Sequence, residues 1–468
     1  MKRSGRLAKT DANSAEILEA KTRRIGQEMW ERLQRRRPTV FEPRWWLDHI
    51  LEWAAGDEAV RLQMLRFVDA LPALKTSESV SQHLQEFFED VRLKSPAAPR
   101  LGLDVSEPGS MLGKALAFSA RTNARRMANR FFAGSDIDEI RKNLFALRRK
   151  GVAFTLHRLP DVALSEADSD EYQRAYLDLI ERLPPLAAEW SEHLLLDRAG
   201  DDPLPRCRFT LSLNALDSQF RPVDARGSRQ RVAERLRPIL RAAQEQGAHI
   251  DIATGLSHEK ELVLDIVREL LNEKDLRSSP HFGVVLQAYL KDSAADLEAL
   301  RDWARQRETP ISVGLVRGSM WDHEIVNARA KEWPEPVFST AAEIDLNFER
   351  LTRSLLEQHS VLRPSIGGYG LRSLAYTCAC ATAVGTPTSA WEMRMPYGVA
   401  DEQALLVAEA GFRVRLDAPF GDPHSGMARF ARTLLENASS ASLLGVTHDR
   451  EARIDELLSP PAASTTVA

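Results

Sequence analysis

Eight short apolar segments follow one another along the second two thirds of the chain, and stretches with the pattern of an amphipathic helix separate them. Strict alternation of strand and helix implies parallel strands, because parallel neighbours need a crossover connection. Eight such units favour an α/β fold, a closed (β/α)8 TIM-like barrel, over an open doubly wound sheet. The predicted strands are residues 152–156, 209–213, 249–252, 283–286, 311–316, 360–366, 389–395 and 412–416.

The sequence lacks the glycine-rich motifs of nucleotide-binding sheets. No G-x-G-x-x-G follows any of the eight segments, and no G-x-x-x-x-G-K-[ST] occurs in the chain. The formal net charge of -4 gives no general attraction to nucleic acid or to acidic membranes. We therefore expect the barrel to recognise small molecules through its loops.

The composition predicts a cytoplasmic protein. No apolar stretch approaches the ~18–20 residues that cross a bilayer, and the basic N-terminus has no hydrophobic run behind it. The three cysteines, Cys207, Cys378 and Cys380, cannot form a disulfide framework and suit a reducing compartment. No His/Asp or Cys spacing indicates a specific metal site.

Texture along the chain predicts five regions. Residues 1–24 are polar and predicted to be disordered. Residues 25–95 have apolar positions at helical spacing, which predicts a helical arm on the N-terminal side of the barrel. Residues 96–150 form a Pro- and Gly-rich linker and a helix that leads into the barrel. The barrel is expected over residues 151–446, with a C-terminal helix and disordered tail over residues 447–468.

In a (β/α)8 barrel the chemistry gathers at the carboxyl ends of the strands. Polar side chains that end the predicted strands are therefore the candidates for a site. They are His157, Asp161, Ser212, Asn214, Asp251, Gln287, Arg317, Trp321, Asp322, Ser365, Glu392, Arg394 and Asp417.

Several ordered blocks resemble the proline dehydrogenase domain of bacterial proline utilisation proteins. They include GVAFTLHRLPDVALSEAD, LSLNALDSQF, VVLQAYLK, LVRGSMWDHEI, WEMRMPYGVA, FRVRLDAPFG and MARFARTLLEN, and they run in the family's order from about residue 110 to 445. The segment FEPRWWLDHILEWA also resembles the N-terminal arm of the bacterial members.

The resemblance implies a distorted barrel that binds FAD and oxidises L-proline, or a related cyclic amino acid, to pyrroline-5-carboxylate in proline catabolism. Electrons would pass to a quinone, which leaves association with the inner membrane surface open. The product would be oxidised further by a separate aldehyde dehydrogenase polypeptide.

The resemblance also assigns roles to individual positions. It implies catalytic roles for Asp251, Arg317 and Trp321, a carboxylate-binding role for Arg432, and a place in the substrate site for Glu436. The substrate site would further include Asp417 and Arg394. The positions implied to hold FAD are Gln287, Arg317, Gly318, Trp321 and Glu392.

Other family positions have changed. The arginine that the family keeps beside flavin N5 falls on Gly314, the active-site lysine on Ser212, the second carboxylate-binding arginine on Thr433 and the tyrosine over the substrate ring on Asp417. Losing one charged donor at a transition state costs roughly 3–4 kcal/mol. Arg394, which replaces a family glutamine, and Arg429 are the cations predicted to compensate.

Three functions therefore remain open from the sequence. The first is a flavoenzyme with a remodelled site that oxidises proline or a related amine. The second is a barrel without flavin that serves in regulation or assembly. The third is an enzyme that uses Asp251, Glu392, Asp417 and Glu436 for acid/base or metal chemistry.

Overall fold

The computed structural model describes residues 2–36, 66, 131–159, 162–422 and 454–461. Its main feature is a closed barrel of eight parallel strands. The strands are β1 (Ala153–Arg158), β2 (Arg208–Ser212), β3 (His249–Ala253), β4 (Phe282–Gln287), β5 (Ile311–Val316), β6 (Leu362–Gly367), β7 (Glu392–Pro396) and β8 (Val414–Phe420).

Each strand pairs with the next along the chain, and β8 pairs with β1 to close the barrel. The eight strands predicted from the sequence are confirmed. The largest difference is at β8, where the prediction ended at Leu416 because Asp417 interrupts the apolar run. The pairing with β1 continues through Asp417, opposite Thr155, as far as Phe420, opposite Arg158. Backbone pairing rather than side-chain polarity sets that strand end.

Helices surround the barrel, and side chains cap the N-termini of several of them. Ser165 and Thr340 each form a capping box with the carboxylate three residues later, which satisfies backbone N–H groups of the first turn. The longer helices are α1 (Lys2–Gln34), α2 (Ile137–Arg149), α3 (Glu166–Ala188), α4 (Ala225–Glu245), α5 (Ser257–Leu271), α6 (Ser293–Arg307), α7 (Trp321–Ala330), α8 (Ala341–Glu357), α9 (Leu371–Val384) and α10 (Asp401–Glu409).

Helix α1 packs against α9 on the outside of the barrel. Leu18, Met29 and Trp30 are buried in this contact. Arg372 of α9 donates hydrogen bonds to both carboxylate oxygens of Glu19 and to the Leu458 carbonyl. The sequence predicted disorder for residues 1–24, whereas in the structure the chain is helical from Lys2 to Gln34 and Leu18 is buried.

Residues 37–65 and 67–130 lie outside the described residues. They include most of the predicted helical arm (25–95) and the first part of the predicted linker and helix (96–150). A single-turn helix, Ile454–Leu457, falls within the predicted C-terminal region. Among the helices of the described ranges, none combines the length and the apolar character that crossing a membrane requires.

Candidate active site

A network of charged side chains fills the middle of the barrel. Arg208 on β2 donates from Nε and Nη2 to the two oxygens of Asp251 on β3, at 2.7 and 2.8 Å. Its Nη1 donates to Glu392 Oε1 on β7 at 2.7 Å. Arg415 on β8 holds the same glutamate with two bonds of 3.0 Å. Asp251 has no exposed surface, so these ion pairs are shielded from solvent.

Arg394 extends the network toward the carboxyl end of the barrel. Its Nε and Nη2 donate to the two oxygens of Asp417 at 2.9 and 2.8 Å. Its Nη1 lies 3.4 Å from Asp251 Oδ2. Asp417 keeps 23% of its side chain exposed, whereas Arg394 keeps 4%. The network therefore runs from the interior to a carboxylate that reaches solvent.

Two uncharged side chains complete the network. Ser365 on β6 donates its hydroxyl to Glu392 Oε1 at 2.9 Å, and His249 Nε2 lies 3.0 Å from Asp251 Oδ1. Three arginines, Arg208, Arg394 and Arg415, thus balance the three carboxylates, Asp251, Glu392 and Asp417. Balanced and hydrogen-bonded charges are the condition under which burial of ions is tolerated.

Electrostatics keep the buried members of the network charged and the histidine neutral. Burial opposes ionisation of Asp251, but Arg208 and His249 outweigh it and hold the pKa of this carboxyl well below its usual value. Burial likewise opposes ionisation of Glu392, and Arg415 and Arg208 bring its pKa down. Burial and the nearby Arg208 lower the pKa of His249 to about 3. A neutral His249 must therefore donate its Nε2–H to Asp251.

Gly314 on β5 makes room for Arg394. The Arg394 side chain passes over Gly367 of β6, where an added Cβ would lie 3.3 Å from Arg394 Cγ. It ends at Gly314, where an added Cβ would lie 2.6 Å from Nη1. The guanidinium thus occupies space that any side chain at position 314 would enter. The glycine and the arginine, two positions where the resemblance implies other residues, therefore fit one another in space.

The rim at the carboxyl ends of β4 and β5 holds three other predicted residues. Gln287 donates its amide to the Gly255 carbonyl at 2.6 Å. Arg317 donates from Nε to Asp345 of α8 at 2.7 Å and from Nη2 to the Ala341 carbonyl. Trp321, the first residue of α7, donates its indole N–H to the Phe338 carbonyl at 2.7 Å.

Gly318 shapes this rim because no other residue fits there. Its φ is +109°, and an added Cβ would lie 2.1 Å from Tyr289 Cδ1.

We expect Gly318→Ala to lower the free energy of unfolding by about 2 kcal/mol, from backbone strain and overpacking together. Urea unfolding would measure it. Gly247→Ala is the control, since φ is +63° there but the space is open, and it should cost about 1 kcal/mol. Equal costs would mean that contact with Tyr289 is unimportant.

The structure corrects the positions of two predicted rim residues. Glu392 is the first residue of β7, at the amino end of the strand, and Asp251 is the third of five residues in β3. Both point into the barrel because side chains alternate along a strand, so alternate positions face the interior whatever their polarity. Their roles toward cofactor and substrate remain predictions.

Five residues of the sequence hypotheses lie outside the described residues: Asp161, Arg429, Arg432, Thr433 and Glu436. Of the two predicted compensating cations, only Arg394 is therefore placed. Ser212 is buried and donates its hydroxyl to Asn214 Oδ1 at 2.5 Å.

Sequence reasoning missed Arg208, Arg415 and His249 as members of the network. A signal was present, since Arg208 opens the apolar run Phe209–Leu211 and Arg415 interrupts another. A charge inside a strand of a closed barrel has to find a buried partner. Which partner it finds depends on the stagger of strands that are distant in the chain.

Comparison with known proteins identifies the family. Residues 140–445 match the model described as proline dehydrogenase, and residues 19–131 match that of the proline utilization A N-terminal domain. The chain belongs to the proline dehydrogenase family. The expected resemblance and the barrel fold are thereby confirmed.

Individual family members show how much of the chain is shared. Bifunctional protein PutA of Klebsiella aerogenes is 25% identical over 351 residues, which cover 73% of this chain and 26% of the relative. Proline dehydrogenase 1 of Bacillus subtilis is 23% identical, with 73% of this chain and 96% of the relative covered. The crystal structure of proline utilization A from Bdellovibrio bacteriovorus superposes with a TM-score of 0.85 at 31% identity, over 96% of this chain and 44% of that one. The chain thus spans about a quarter of the PutA sequence it matches.

Proposed function

We propose that the chain binds FAD at the carboxyl end of the barrel and oxidises L-proline, or a related cyclic amino acid, to the cyclic imine. For proline the product is pyrroline-5-carboxylate. The carrying observation is the Arg394 guanidinium, which lies against Gly314, the position where the family keeps its flavin-facing arginine. Arg394 thus places a cation beside position 314, where the family resemblance implies that an arginine is missing.

The rim offers groups that fit a flavin ring. Gln287 is half-buried, and its donation to Gly255 fixes the amide while its Oε1 makes no hydrogen bond to a residue in the described ranges. Arg317 supplies a cation at the neighbouring strand end. Gln287, Arg317, Gly318 and Trp321 are the described residues that would hold FAD. When bound, FAD would supply the acceptor for the substrate's hydride.

Arg394 would stabilise negative charge that develops during the reaction. Its orientation is fixed by Asp417 and Asp251, so no reorganisation is needed when charge appears. Burial opposes its charge, but Asp417 and Asp251 prevail and raise its pKa. Arg394 therefore stays a cation throughout the accessible pH range.

Asp417 would contact the substrate amine. It stands where the family has a tyrosine over the substrate ring, and it is the most exposed carboxylate of the network. A carboxylate there can accept a hydrogen bond from a secondary ammonium group. Arg432 would hold the substrate carboxylate, and Glu436 would belong to the same substrate site, as the family resemblance implies. A polar group beside the ring favours substrates such as hydroxylated prolines over proline itself.

Two steps test this proposal on the purified full-length chain. The first is the absorbance spectrum before and after denaturation, which should show FAD released from the folded protein. The second is anaerobic bleaching by proline, hydroxyproline and other secondary amines. Colourless protein that cannot be reconstituted with FAD would exclude the proposed oxidation.

The Arg394→Gln variant tests the carrying observation, since glutamine is the family residue at that position. We expect flavin reduction to slow by about a hundredfold or more. The double variant Arg394→Gln/Asp417→Asn removes both members of the pair, which avoids an unpaired carboxylate and guards against misfolding. Arg353→Gln, on the outer face of α8, is the control and should leave the rate unchanged. Normal reduction rates in both Arg394 variants would contradict the role.

A second candidate function has its own support. Arg317 is tied to Asp345, and Arg394 is tied to Asp417, so two cations that could meet ligands already have protein partners. These pairings are those expected of a flavin-less barrel that serves in regulation or assembly. The FAD measurement separates the two candidates directly.

If the oxidation occurs, its partners follow from the family. A quinone would accept the electrons, which would bring the reaction to the surface of the inner membrane, and an aldehyde dehydrogenase would use the product. A pull-down with membrane fractions, in the presence and absence of substrate, would test the first of these.

A further inference from the structure

A cavity lies at the amino end of the barrel, opposite the rim that carries the candidate active site. Its volume is about 370 Å³, and it is lined by residues at or next to the starts of β2 to β8. A two-stranded hairpin, Arg198–Ala199 paired with Asp202–Pro203, covers one side. Amino ends of barrel strands ordinarily serve stability, and small-molecule sites fall in the range of roughly 300–1,000 Å³. The cavity thus has the size of a ligand site at an end where none is expected.

The wall of this cavity carries an excess of positive charge. Four arginines line it, Arg208, Arg363, Arg413 and Arg415, against two carboxylates, Asp202 and Glu392. Arg208 and Arg415 share Glu392, and Arg208 also pairs with Asp251, so the excess comes from Arg363 and Arg413 against Asp202. Arg413 donates only to main-chain carbonyls, those of Leu195, Ser389 and Arg198, which carry no full charge.

Arg363 is the least satisfied of the four. Its guanidinium makes no hydrogen bond and no ion pair within 4.0 Å to any residue in the parts of the chain that the structure describes. Burial, aided by Arg208 and opposed by Asp202, lowers its pKa. A half-buried guanidinium without a partner loses hydration and gains nothing in return.

An imidazole close to Arg363 is also unsatisfied. The Nδ1 atom of His281 is buried and has no hydrogen-bond partner among the described residues. Burial, with Arg363 nearby, lowers the pKa of His281 to about 4. His281 and Arg363 therefore present two unpaired polar groups in the wall of one cavity.

We propose that this cavity binds a small organic anion that carries a carboxylate or phosphate group. Arg363 would bind two of its oxygens in the bidentate manner that guanidinium groups favour. The anion would compensate the excess charge of Arg363 and Arg413 and raise the proton affinity of His281. The cavity shares Arg208, Glu392 and Arg415 with the interior network, but Arg363 and His281 are outside that network and at the amino end, so the proposal goes beyond the proposed oxidation and does not depend on FAD.

The test uses the purified full-length chain with inorganic phosphate and succinate as the two probes. We expect one of them to bind saturably by calorimetry, with a dissociation constant below about 1 mM. Sodium chloride at matched ionic strength should not reproduce its effect on the thermal unfolding midpoint. Preference for phosphate or for succinate identifies the chemical source of the anion.

Arg363→Gln should weaken the binding by at least about tenfold, because a charge-assisted bidentate contact is lost. Arg141→Gln, at an exposed position of α2, should bind as the wild type does. Circular dichroism would establish that both variants fold. The NMR signal of His281 provides a second readout, since its pKa should rise when the anion binds. The proposal would be overturned if neither phosphate nor succinate binds saturably, or if Arg363→Gln binds the probe with the wild-type affinity.

Discussion

Replacing Glu392 with glutamine is expected to lower the free energy of unfolding by about 3–5 kcal/mol. Glutamine keeps the size of the side chain and removes its charge. Arg208 and Arg415 would then lose the carboxylate that they share, and neither guanidinium can give up its proton to relieve the charge. Uncompensated buried charge, rather than a cavity, is the origin of the loss.

Urea unfolding followed by tryptophan fluorescence would measure this loss. Glu357→Gln is the matched control, because Glu357 pairs with Arg353 on the exposed face of α8 and both side chains are about half exposed. That pair should contribute no more than about 0.5 kcal/mol. Similar losses in the two variants would mean that the interior network is hydrated and weak.

His249 should make the protein lose stability as the pH falls below about 6.5. In the folded chain the pKa of His249 is about 3, because the ring is buried near Arg208. In the unfolded chain it returns to about 6.5. Between these values the unfolded chain binds a proton that the folded chain does not. Stability is therefore complete above pH 6.5 and falls by up to about 1.4 kcal/mol per pH unit below it.

His281 acts in the same direction over the same range, since its pKa is lowered to about 4. Asp251 and Glu392 also have lowered pKa values, but their contribution is lost only as the pH falls below that of the unfolded carboxyls, about 4. The range from pH 6.5 to 4.5 therefore reports the histidines alone among these groups.

Urea unfolding at pH 6.5, 5.5 and 4.5 would measure the slope in the wild type and in His249→Gln. Glutamine can still donate an amide hydrogen to Asp251, so the variant tests the proton rather than the hydrogen bond. We expect its slope to be smaller by about 1.4 kcal/mol per pH unit. His323→Gln, at an exposed position of α7, should keep the wild-type slope. An unchanged slope in His249→Gln would show that the ring is already protonated in the folded protein.

The network also shows how Gly314, Arg394 and Asp417, where the family resemblance implies other residues, fit together. Gly314 removes a side chain from β5, Arg394 brings a guanidinium into that space from β7, and Asp417 on β8 supplies its counter-charge. Each change alone would leave a void, a clash or an unpaired charge. Together they form a neutral and filled interior, which is the condition for a stable barrel.

The sequence by itself determined the eight strands, the helices between them and the family. Alternating apolar strands and amphipathic helices admit few parallel architectures, and the order of the family blocks confirms the same one. It also located Gln287 and Arg317 at strand ends and Trp321 in the segment after one, because the local apolar pattern marks where a strand stops. These are properties of neighbouring residues, so the sequence can show them.

Only the tertiary structure decided which side chains Asp251, Glu392 and Arg394 contact. Arg208 and Glu392 are 184 positions apart in the chain, and Arg394 and Asp251 are 143 apart. Whether such residues meet depends on barrel closure and strand stagger, which no local pattern encodes. The amino-end cavity has the same origin, since its lining comes from the starts of seven strands that closure alone brings together.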